Sequence, residues 1–559
     1  MNNYPLVKFD RGLDQQLDKD VRQGLSTCSN LSMEKVGSLR STKADDNPIT
    51  YGSPVHSLHL GGLTKADALL AGVGTTIKRA EVSIATGFSG ERIEFASQNG
   101  IIYFTNTTDG LWYYNGTGSA YRAGALEPTV GSFAAADGGG AGIFDGIYSI
   151  YCVFVNRNGY EGNASDAIAT ADLAVGSDID LTDIPVNTDS DYDIIYRRIY
   201  IQGGDSGGAG YYTSTILLKT ILDNTTTSVS AIAAVEDSAT TLSTDNNTAP
   251  SYDHIFEHYG VMWLLENQTA RFAKTLSPEQ WPATQSLNIS RSGDPMQRGI
   301  SWNGAGYIVT RKKVFEVIGS PGSGTLLTNF FIKETNAEKG TIAPMSVVGT
   351  PYGMFYQAED GIMVFQGNQS KIFSHEVEDF LNDRNKLDTI ESLSVAEFYD
   401  DKLVFSFASK DSSVPDTTLI YDFDRKVWTS ENRGYRSLSA DRKTNVLYCG
   451  TAGTIDRFRN GTTYKDWSMS KEFVPQIGTD ANFGKFRINM QGSCTANVYL
   501  DDELKDSYSL ESASKGFVEE RFPLGLAERT TIELVGDAKG TQDVIYEISY
   551  SAQPNDVEV

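Results

Sequence analysis

The chain has 559 residues, of which 40% are hydrophobic and 11% aromatic, so it holds enough apolar material for a packed core and is not disordered by composition. It carries 72 acidic against 47 basic side chains, a formal net charge of −25. Because DNA binding depends on Lys and Arg displacing counterions, this balance excludes a protein that wraps DNA or reads its sequence. At roughly 100–200 residues per domain, the length predicts three or four domains.

Cysteine usage argues against a disulfide-linked or zinc-knuckle protein, and hydropathy argues against a secreted or membrane-spanning one. The four cysteines lie far apart and form no Cys-x-x-Cys pair: Cys28, Cys152, Cys449 and Cys494. We predict isolated thiols in a reducing cytosol at synthesis rather than a disulfide framework or a zinc knuckle. The first residues show no apolar segment of a secretory signal, and no apolar run approaches the ~20 residues of a membrane span.

In chain order, residues 1–54 are predicted to be an N-terminal arm, and residues 55–138 hold the first members of a hairpin repeat. The clearest member, residues 99–116, is a short apolar strand, a corner at Asp109-Gly110 and a second strand closed by Asn115-Gly116. Asp-Gly and Asn-Gly favour tight hairpin turns because both positions tolerate positive φ. Residues 56–78 are read as an earlier member.

Residues 139–248 break the repeat. Strand-like stretches follow one another there at 146–156, 179–184, 192–201 and 211–218, with an Asn158-Gly159 turn and a Gly-rich link at 203–210. About seven short strands in roughly 110 residues are typical of an immunoglobulin- or fibronectin-like β-sandwich. We predict such a module inserted between two repeat units.

The repeat resumes over residues 249–470. Members start near 259, 304, 352, 401 and 446, and the last four lie roughly 45–50 residues apart, the spacing of four-stranded propeller blades. A lone hairpin cannot bury its face in water, whereas radial stacking can bury it. We predict a β-propeller of six to eight blades; the alternative is a set of unrelated hairpins in a sandwich. Helix is scarce, with residues 374–388 as the best short candidate.

Residues 471–559 are again β-rich, with strands predicted at 485–490, 495–500 and 531–535. They are predicted to form a small C-terminal β-sandwich. The predicted fold class is therefore mostly β: a β-propeller with an inserted immunoglobulin- or fibronectin-like sandwich and a C-terminal sandwich.

Candidate metal ligands are few. His254 and His258 could present two ligands on one helical face, but they directly precede an apolar strand and no third ligand is close in sequence. His56 and His59 are three apart in a strand-like stretch and should point to opposite faces. We predict no metal-binding and no cofactor-binding residues.

Candidate catalytic residues are equally weak. Carboxylate pairs at Asp400-Asp401 and at Asp422 with Asp424 could suggest a glycosidase, but they occupy predicted hairpin turns, where Asp favours the backbone. The stretch 203–210 contains Gly-Asp-Ser-Gly-Gly, which mimics the nucleophile motif of trypsin-like proteases but lies in a flexible loop. Tryptophans in strand-like stretches are better explained as blade cores than as sugar platforms: Trp112, Trp263, Trp302 and Trp428. The prediction is no catalytic residue and no enzyme.

Three sets of residues carry a resemblance to a known family. The arm contains Arg11-Gly-Leu-Asp14, Gly24, Asn30-Leu31 and a segment ending in Gly37-Ser-Leu-Arg40. The insert contains Tyr148-x-x-Tyr-x-Val-Phe-Val-Asn-x-x-Gly-x-Glu-Gly162 and Arg197-Arg-Ile-Tyr200. The propeller contains Gln280-Trp-Pro282 and Glu359-Asp-Gly-Ile-Met-Val-Phe365. In these features the chain resembles the nozzle or tail-hub proteins of short-tailed bacteriophages, a group that includes packaged-DNA stabilisation proteins.

The resemblance implies a virion structural protein, made in the host cytoplasm and located in the tail. It would form a homo-oligomeric ring, a hexamer, below the portal and the head-tail adaptor, pass DNA without specific binding during ejection, and carry tail fibres or spikes. An acidic lumen would leave no sticky sites for DNA. Two alternatives stay open: a β-propeller carbohydrate-binding or glycan-cleaving receptor-binding tail protein, and a secreted β-rich adhesin.

Overall fold

The structure is a computed structural model that describes residues 2–3, 25–35, 38–63, 68–289, 293–321, 329–473, 481–527 and 529–554. The predicted arm motif at Arg11–Asp14 and Gly24 lies outside the described residues. The fold is mostly β and is built around a β-propeller. Among the described residues, no helix is long and apolar enough to span a membrane.

Within the described ranges, seven four-stranded antiparallel units form the propeller, which we number as blades 1–7. Blade 1 consists of Val55–Leu60, Leu69–Val73, Thr76–Arg79 and Val82–Thr86. Blade 2 consists of Glu94–Gln98, Ile101–Thr105, Trp112–Tyr114 and Tyr121–Arg122. Blade 3 consists of His254–His258, Val261–Glu266, Thr269–Phe272 and Ser286–Asn288. Blade 4 consists of Met296–Trp302, Ala305–Thr310, Val314–Ile318 and Phe331–Glu334. Blade 5 consists of Val348–Thr350, Gly353–Ala358, Gly361–Phe365 and Ser370–Ile372. Blade 6 consists of Val395–Tyr399, Lys402–Phe407, Thr417–Asp422 and Val427–Glu431. Blade 7 is Ser437–Asp441, Val446–Gly450, Thr454–Arg457 and Asp46–Thr50.

The predicted hairpins are the second and third strands of the blades. At the predicted Asp109-Gly110 corner, Gly110 has a φ of +74°, a conformation that favours glycine. The second strands are apolar without alternation because a neighbouring blade covers each face; all six residues of Gly353–Ala358 are buried.

Apolar packing closes the ring. Consecutive blades share one buried cluster each, from blades 1 and 2 through to blades 7 and 1. The last blade is completed by a strand from near the start of the chain, with Ile49 opposite Ile455 and Thr50 opposite Thr454. Residues 46–50, within the predicted arm, thus hold the ends of the propeller together, and the ring leaves only short strand edges exposed.

The segment between blades 2 and 3 forms its own sheets. Its strands are Ala134–Asp137, Phe144–Gly146, Tyr148–Asn156, Glu161–Ala164, Ile168–Ala169, Leu173–Ser177, Ile179–Thr182, Ile194–Gly203, Tyr212–Ile221, Val229–Ile232 and Asp237–Thr241. Side chains from these sheets meet in one apolar cluster, to which Tyr148, Ile150 and Cys152 contribute with a period of two. We call this segment, residues 130–245, the insert; its immunoglobulin- or fibronectin-like class stays a prediction.

The chain termini share one sheet. Its strands outside blade 6 are Asn2–Asn3, Thr27–Ser29, Leu31–Lys35, Ser38–Ser41, Trp467–Phe473, Ala481–Leu500, Glu503–Ala527, Thr530–Gly536 and Val544–Pro554. Strand Thr27–Ser29 joins the C-terminal strands to blade 6, which makes the sheet continuous with the propeller. Among the described residues, the helical elements are the 3₁₀ turns Pro344–Ser346 and His375–Val377 and the α-helices Glu378–Asn382 and Asp388–Glu391. The segment predicted helical, residues 374–388, thus holds one 3₁₀ turn and one short α-helix, Glu378–Asn382.

Candidate functional site: the central cavity of the propeller

The first strand of each blade faces the propeller axis. Around that axis lies a cavity of about 590 Å³, lined by blades 1, 2, 4, 5, 6 and 7. Its volume falls in the range of about 300–1,000 Å³ that is usual for small-molecule sites. We call the end of the cavity where the first strands begin the floor and the end where they finish the mouth.

Arg92 lies at the floor of the cavity. It precedes the first strand of blade 2 and donates hydrogen bonds to the backbone oxygens of Ser392 (3.2 Å), Leu393 (3.0 Å) and Arg436 (2.8 Å). Ser392 and Leu393 precede blade 6, and Arg436 precedes blade 7. The Arg92 guanidinium therefore links blade 2 to blades 6 and 7 across the ring. Burial, with the charges of Arg298 and Arg436, lowers the pKa of Arg92 to about 10.

Glu94 is the buried acid of this floor. It accepts a hydrogen bond from the backbone N–H of Ile255 (2.8 Å) and lies 3.4 Å from both His254 Nδ1 and Arg298 Nε. Burial alone would raise the pKa of Glu94, but His254, Arg298 and the Ile255 N–H outweigh it and hold that pKa below its ordinary value. Glu94 is therefore ionised and paired.

Glu397 is the second carboxyl group on the cavity wall, on the first strand of blade 6. Burial raises the pKa of Glu397 to about 7, against the opposing effects of the Phe398 N–H and of Arg442 and Arg298. The Phe398 N–H donates to Glu397 Oε1 over 3.1 Å. The cavity thus holds one carboxylate, Glu94, and one carboxyl group, Glu397, that keeps its proton up to neutral pH. Acid–base catalysis can use such a difference between the pKa values of two carboxyl groups.

Aromatic rings form the wall between the floor and the mouth. Trp302 and Phe398 line the cavity, and Trp302 is fixed by a 2.8 Å hydrogen bond from its Nε1 to the Thr350 oxygen. Outside the cavity lining, Tyr352 follows the first strand of blade 5 and stacks flat on Phe423, with centroids 4.1 Å apart and planes at 8°.

The cavity is basic although the chain is acidic. Four arginines line it against two glutamates: Arg92, Arg298, Arg436 and Arg442 against Glu94 and Glu397. Of the arginines, Arg92 and Arg298 have partners on the floor. Among the described residues, the Arg436 side chain has no hydrogen bond or ion pair, and the Arg92 cation and the His56 ring lie near it.

The histidines predicted as weak metal candidates serve packing and pairing. His254 faces Glu94, whereas His258 is buried with its Nδ1 3.1 Å from Ser301 Oγ. His56 Nε2 lies 3.1 Å from the Gly74 oxygen, and His59 Nε2 lies 3.2 Å from Ser97 Oγ. In the part of the chain that the structure describes, no three His, Cys, Asp or Glu side chains are grouped as metal ligands would be.

The other predicted candidates lie away from the cavity. Asp400 and Asp401 form a hairpin corner, both with a φ of 51°, and Asp422 accepts from the Arg425 N–H in the next turn. The Gly-Asp-Ser-Gly-Gly stretch is a hairpin loop of the insert, where the Asp205 N–H donates to the Asp145 oxygen. All four cysteines are buried and free.

The cavity residues were missed in the sequence because each blade supplies only one or two of them. Glu94, Arg298 and Glu397 are separated by about 100 residues or more and belong to no motif. A signal was available: each is a charged residue within the first strand of a repeat whose other strands are apolar. Aligning the repeats on their Asp-Gly corners would have placed these charges near the axis.

A second polar cluster joins the insert to the propeller. Glu279, in the loop after the third strand of blade 3, accepts from Gly124 N–H (2.8 Å), Tyr103 Oη (3.0 Å), Asn158 Nδ2 (2.7 Å) and Asn156 Nδ2. These donors come from blade 2, from the connection to the insert and from a hairpin of the insert. Burial raises the pKa of Glu279 although these hydrogen bonds lower it. We call this cluster the Glu279 junction.

Comparison with known proteins gives only distant likenesses. No family model and no curated protein matches the chain. Among solved structures, it is similar to an exo-β-1,3-galactanase from Phanerochaete chrysosporium, at 7% identity and a TM-score of 0.18, over 84% of this chain and 98% of that one. It is also similar to a glycoside hydrolase family 43 arabinoxylan arabinofuranohydrolase from Bacillus subtilis, at 9% identity and a TM-score of 0.17, over 78% and 96% of the two chains.

These comparisons correct one expectation. The sequence analysis predicted that the chain is not an enzyme. The comparison contradicts that prediction, because the similar structures are glycoside hydrolases. The predicted absence of catalysis rested on the turn positions of the Asp pairs and took no account of Glu94 and Glu397 in the cavity. At these TM-scores the likeness assigns no catalytic residue and no substrate to this chain.

Proposed function

We propose that this chain is a tail protein of a short-tailed bacteriophage and that it forms the nozzle or hub. In this role it assembles as a homohexameric ring below the portal and adaptor, passes DNA during ejection, and carries fibres or spikes. The resemblance of its arm, insert and propeller motifs to the nozzle proteins supports this proposal. The observation that carries it is the Glu279 junction.

The motif residues of the resemblance meet at that junction. Gln280, from the propeller motif, donates through Nε2 to the backbone oxygen of Glu161, from the insert motif, over 2.8 Å. Trp281 is buried, and its backbone N–H donates to the backbone oxygen of Asn247 over 3.0 Å. These residues hold the insert in a fixed position on the propeller. A fixed lateral module is what a hub subunit needs in order to bind a fibre or a spike.

The arm motif has a related role. The Asn30 N–H donates to the Ser430 oxygen of blade 6 over 2.7 Å, and its Nδ2 donates to the Asp466 oxygen over 2.8 Å. Asn30 thus fastens the arm to the propeller and to the C-terminal strands. The net charge of −25 favours a surface that DNA does not adhere to.

The test is assembly and location. Sedimentation of the purified full-length protein should give a closed oligomer, and mass spectrometry of purified phage particles should detect the chain in a fixed ratio to the portal. A protein that stays monomeric at all concentrations and is absent from particles would overturn the proposal.

The central cavity favours a second candidate function: binding or cleavage of a carbohydrate by a receptor-binding tail protein. Its support is the combination of an aromatic wall with two carboxyl groups whose pKa values are moved apart, Glu94 downward and Glu397 upward. A glycan array followed by a reducing-sugar assay tests it. Cleavage that is lost in Glu397→Gln but kept in the exposed control Glu127→Gln would support a catalytic role, and no glycan binding at all would remove this candidate.

A further inference from the structure

The charge of the central cavity points to a specific class of ligand. We propose that the cavity binds a saccharide that carries a carboxylate, with the carboxylate at Arg436 and the sugar ring against the aromatic wall. This inference rests on the second candidate function, the saccharide role, and leaves the nozzle proposal independent. It names the substrate class for that role.

The first step of the argument is the unbalanced cation. Arg92 is occupied by three backbone oxygens, and Arg298 is occupied by Glu94 and by the Pro344 oxygen, to which its Nη1 donates over 3.1 Å. Arg436 has no such side-chain partner among the described residues, and it lies near the like charge of Arg92. Like charges in a confined space repel each other, and a bound anion relieves that repulsion.

The second step concerns the acids. Glu94 is already paired with Arg298 and His254, and Glu397 holds its proton up to about pH 7. Neither glutamate therefore neutralises Arg436, and the cavity is net positive at neutral pH. A neutral sugar would leave that charge unmatched, whereas a carboxylate would match it with charge-assisted hydrogen bonds, in which arginine forms two parallel N–H···O contacts.

The third step is the shape of the cavity. Arg92, Arg298 and Arg436 lie towards the floor, where the first strands begin. Trp302 and Phe398 lie towards the mouth, as does the fourth arginine, Arg442, which follows the first strand of blade 7. A volume of about 590 Å³ exceeds what a simple inorganic anion needs, and the rings offer flat apolar faces to the C–H groups of a pyranose. Protonated Glu397, between the floor and the mouth, can donate a hydrogen bond to a sugar oxygen. Charge, rings and depth together select an acidic sugar over phosphate or a neutral glycan.

The experiment compares matched probes by titration calorimetry, with tryptophan fluorescence as a second readout because Trp302 lines the cavity. The probes are trigalacturonate, neutral galactotriose and inorganic phosphate, added to the full-length protein. We expect trigalacturonate to bind about tenfold or more tightly than galactotriose, since a charge-assisted contact distinguishes them. We expect Arg436→Gln to remove that difference and Lys219→Gln, a similar charge loss on the exposed surface of the insert, to keep it.

Each outcome decides the matter. Preference for the acid that depends on Arg436 supports the inference. Equal binding of both saccharides, or a preference that survives Arg436→Gln, overturns the inference and leaves the saccharide role standing. Phosphate that binds as tightly as trigalacturonate shows a general anion site and also overturns it. Absence of binding by all three probes overturns the inference and counts against the saccharide role. Unchanged urea unfolding of Arg436→Gln verifies that the variant is folded.

Discussion

Replacing Glu279 by alanine should detach the insert from the propeller. The substitution removes the acceptor of four hydrogen bonds, from Gly124, Tyr103, Asn156 and Asn158, inside a buried cluster. Breaking one side of a buried charged network costs about 3–5 kcal/mol, because the partners stay buried without an acceptor. Relief of the burial that raises the pKa of Glu279 offsets part of this cost, so we expect about 3 kcal/mol.

The loss should be local. Urea unfolding measures the change in the free energy of unfolding, and hydrogen exchange followed by mass spectrometry locates it. We expect faster exchange at residues 154–162 and 122–126, with blades 5 and 6 unchanged. Glu127→Ala is the matched control, since Glu127 lies in the same connection, is exposed, and should change stability by less than about 0.5 kcal/mol. Equal effects of the two substitutions would refute the assignment of Glu279 as the junction.

Three further predictions follow from burial and pairing. Because the folded-state pKa of Glu397 is raised from 4.5 to about 7, the folded chain holds that proton more tightly and loses stability as pH rises between these values. Glu397→Gln should therefore flatten the decline in unfolding free energy from pH 5 to pH 8 by about 1–2 kcal/mol, and an unchanged decline contradicts the assignment. A thiol reagent should modify none of the four buried cysteines in the native protein and all four in urea; rapid labelling under native conditions would disagree. Deleting residues 1–50 removes the outer strand of blade 7 and should make Cys449 reactive, while an intact unfolding transition with an unreactive Cys449 would show that the ring does not need this strand.

The propeller was predictable because its signals are local. An Asp-Gly corner such as Asp109-Gly110 specifies a turn within four residues, and the spacing of such corners gives the blade length. The strands of the insert were also readable: the stretch predicted at 192–201 is the strand Ile194–Gly203. In each case neighbouring residues determine the outcome.

Long-range pairings were not predictable in the same way. Ile49 pairs with Ile455 across some four hundred residues, and neither segment differs from an ordinary strand in sequence. The stretches predicted as separate strands at 485–490 and 495–500 are one strand, Ala481–Leu500, because different partners cover its two halves. The cavity was not predicted for the same reason: Arg436 and Glu397 line a common cavity only once the blades close into a ring.

Electron cryomicroscopy of the phage tail tests the central claim most directly. The account predicts a six-fold ring below the portal and adaptor, in which each subunit shows a seven-bladed propeller with the insert fixed to its side between blades 2 and 3. A tail in which that position is occupied by another protein, with this chain absent or present only at a distal fibre tip, would contradict it.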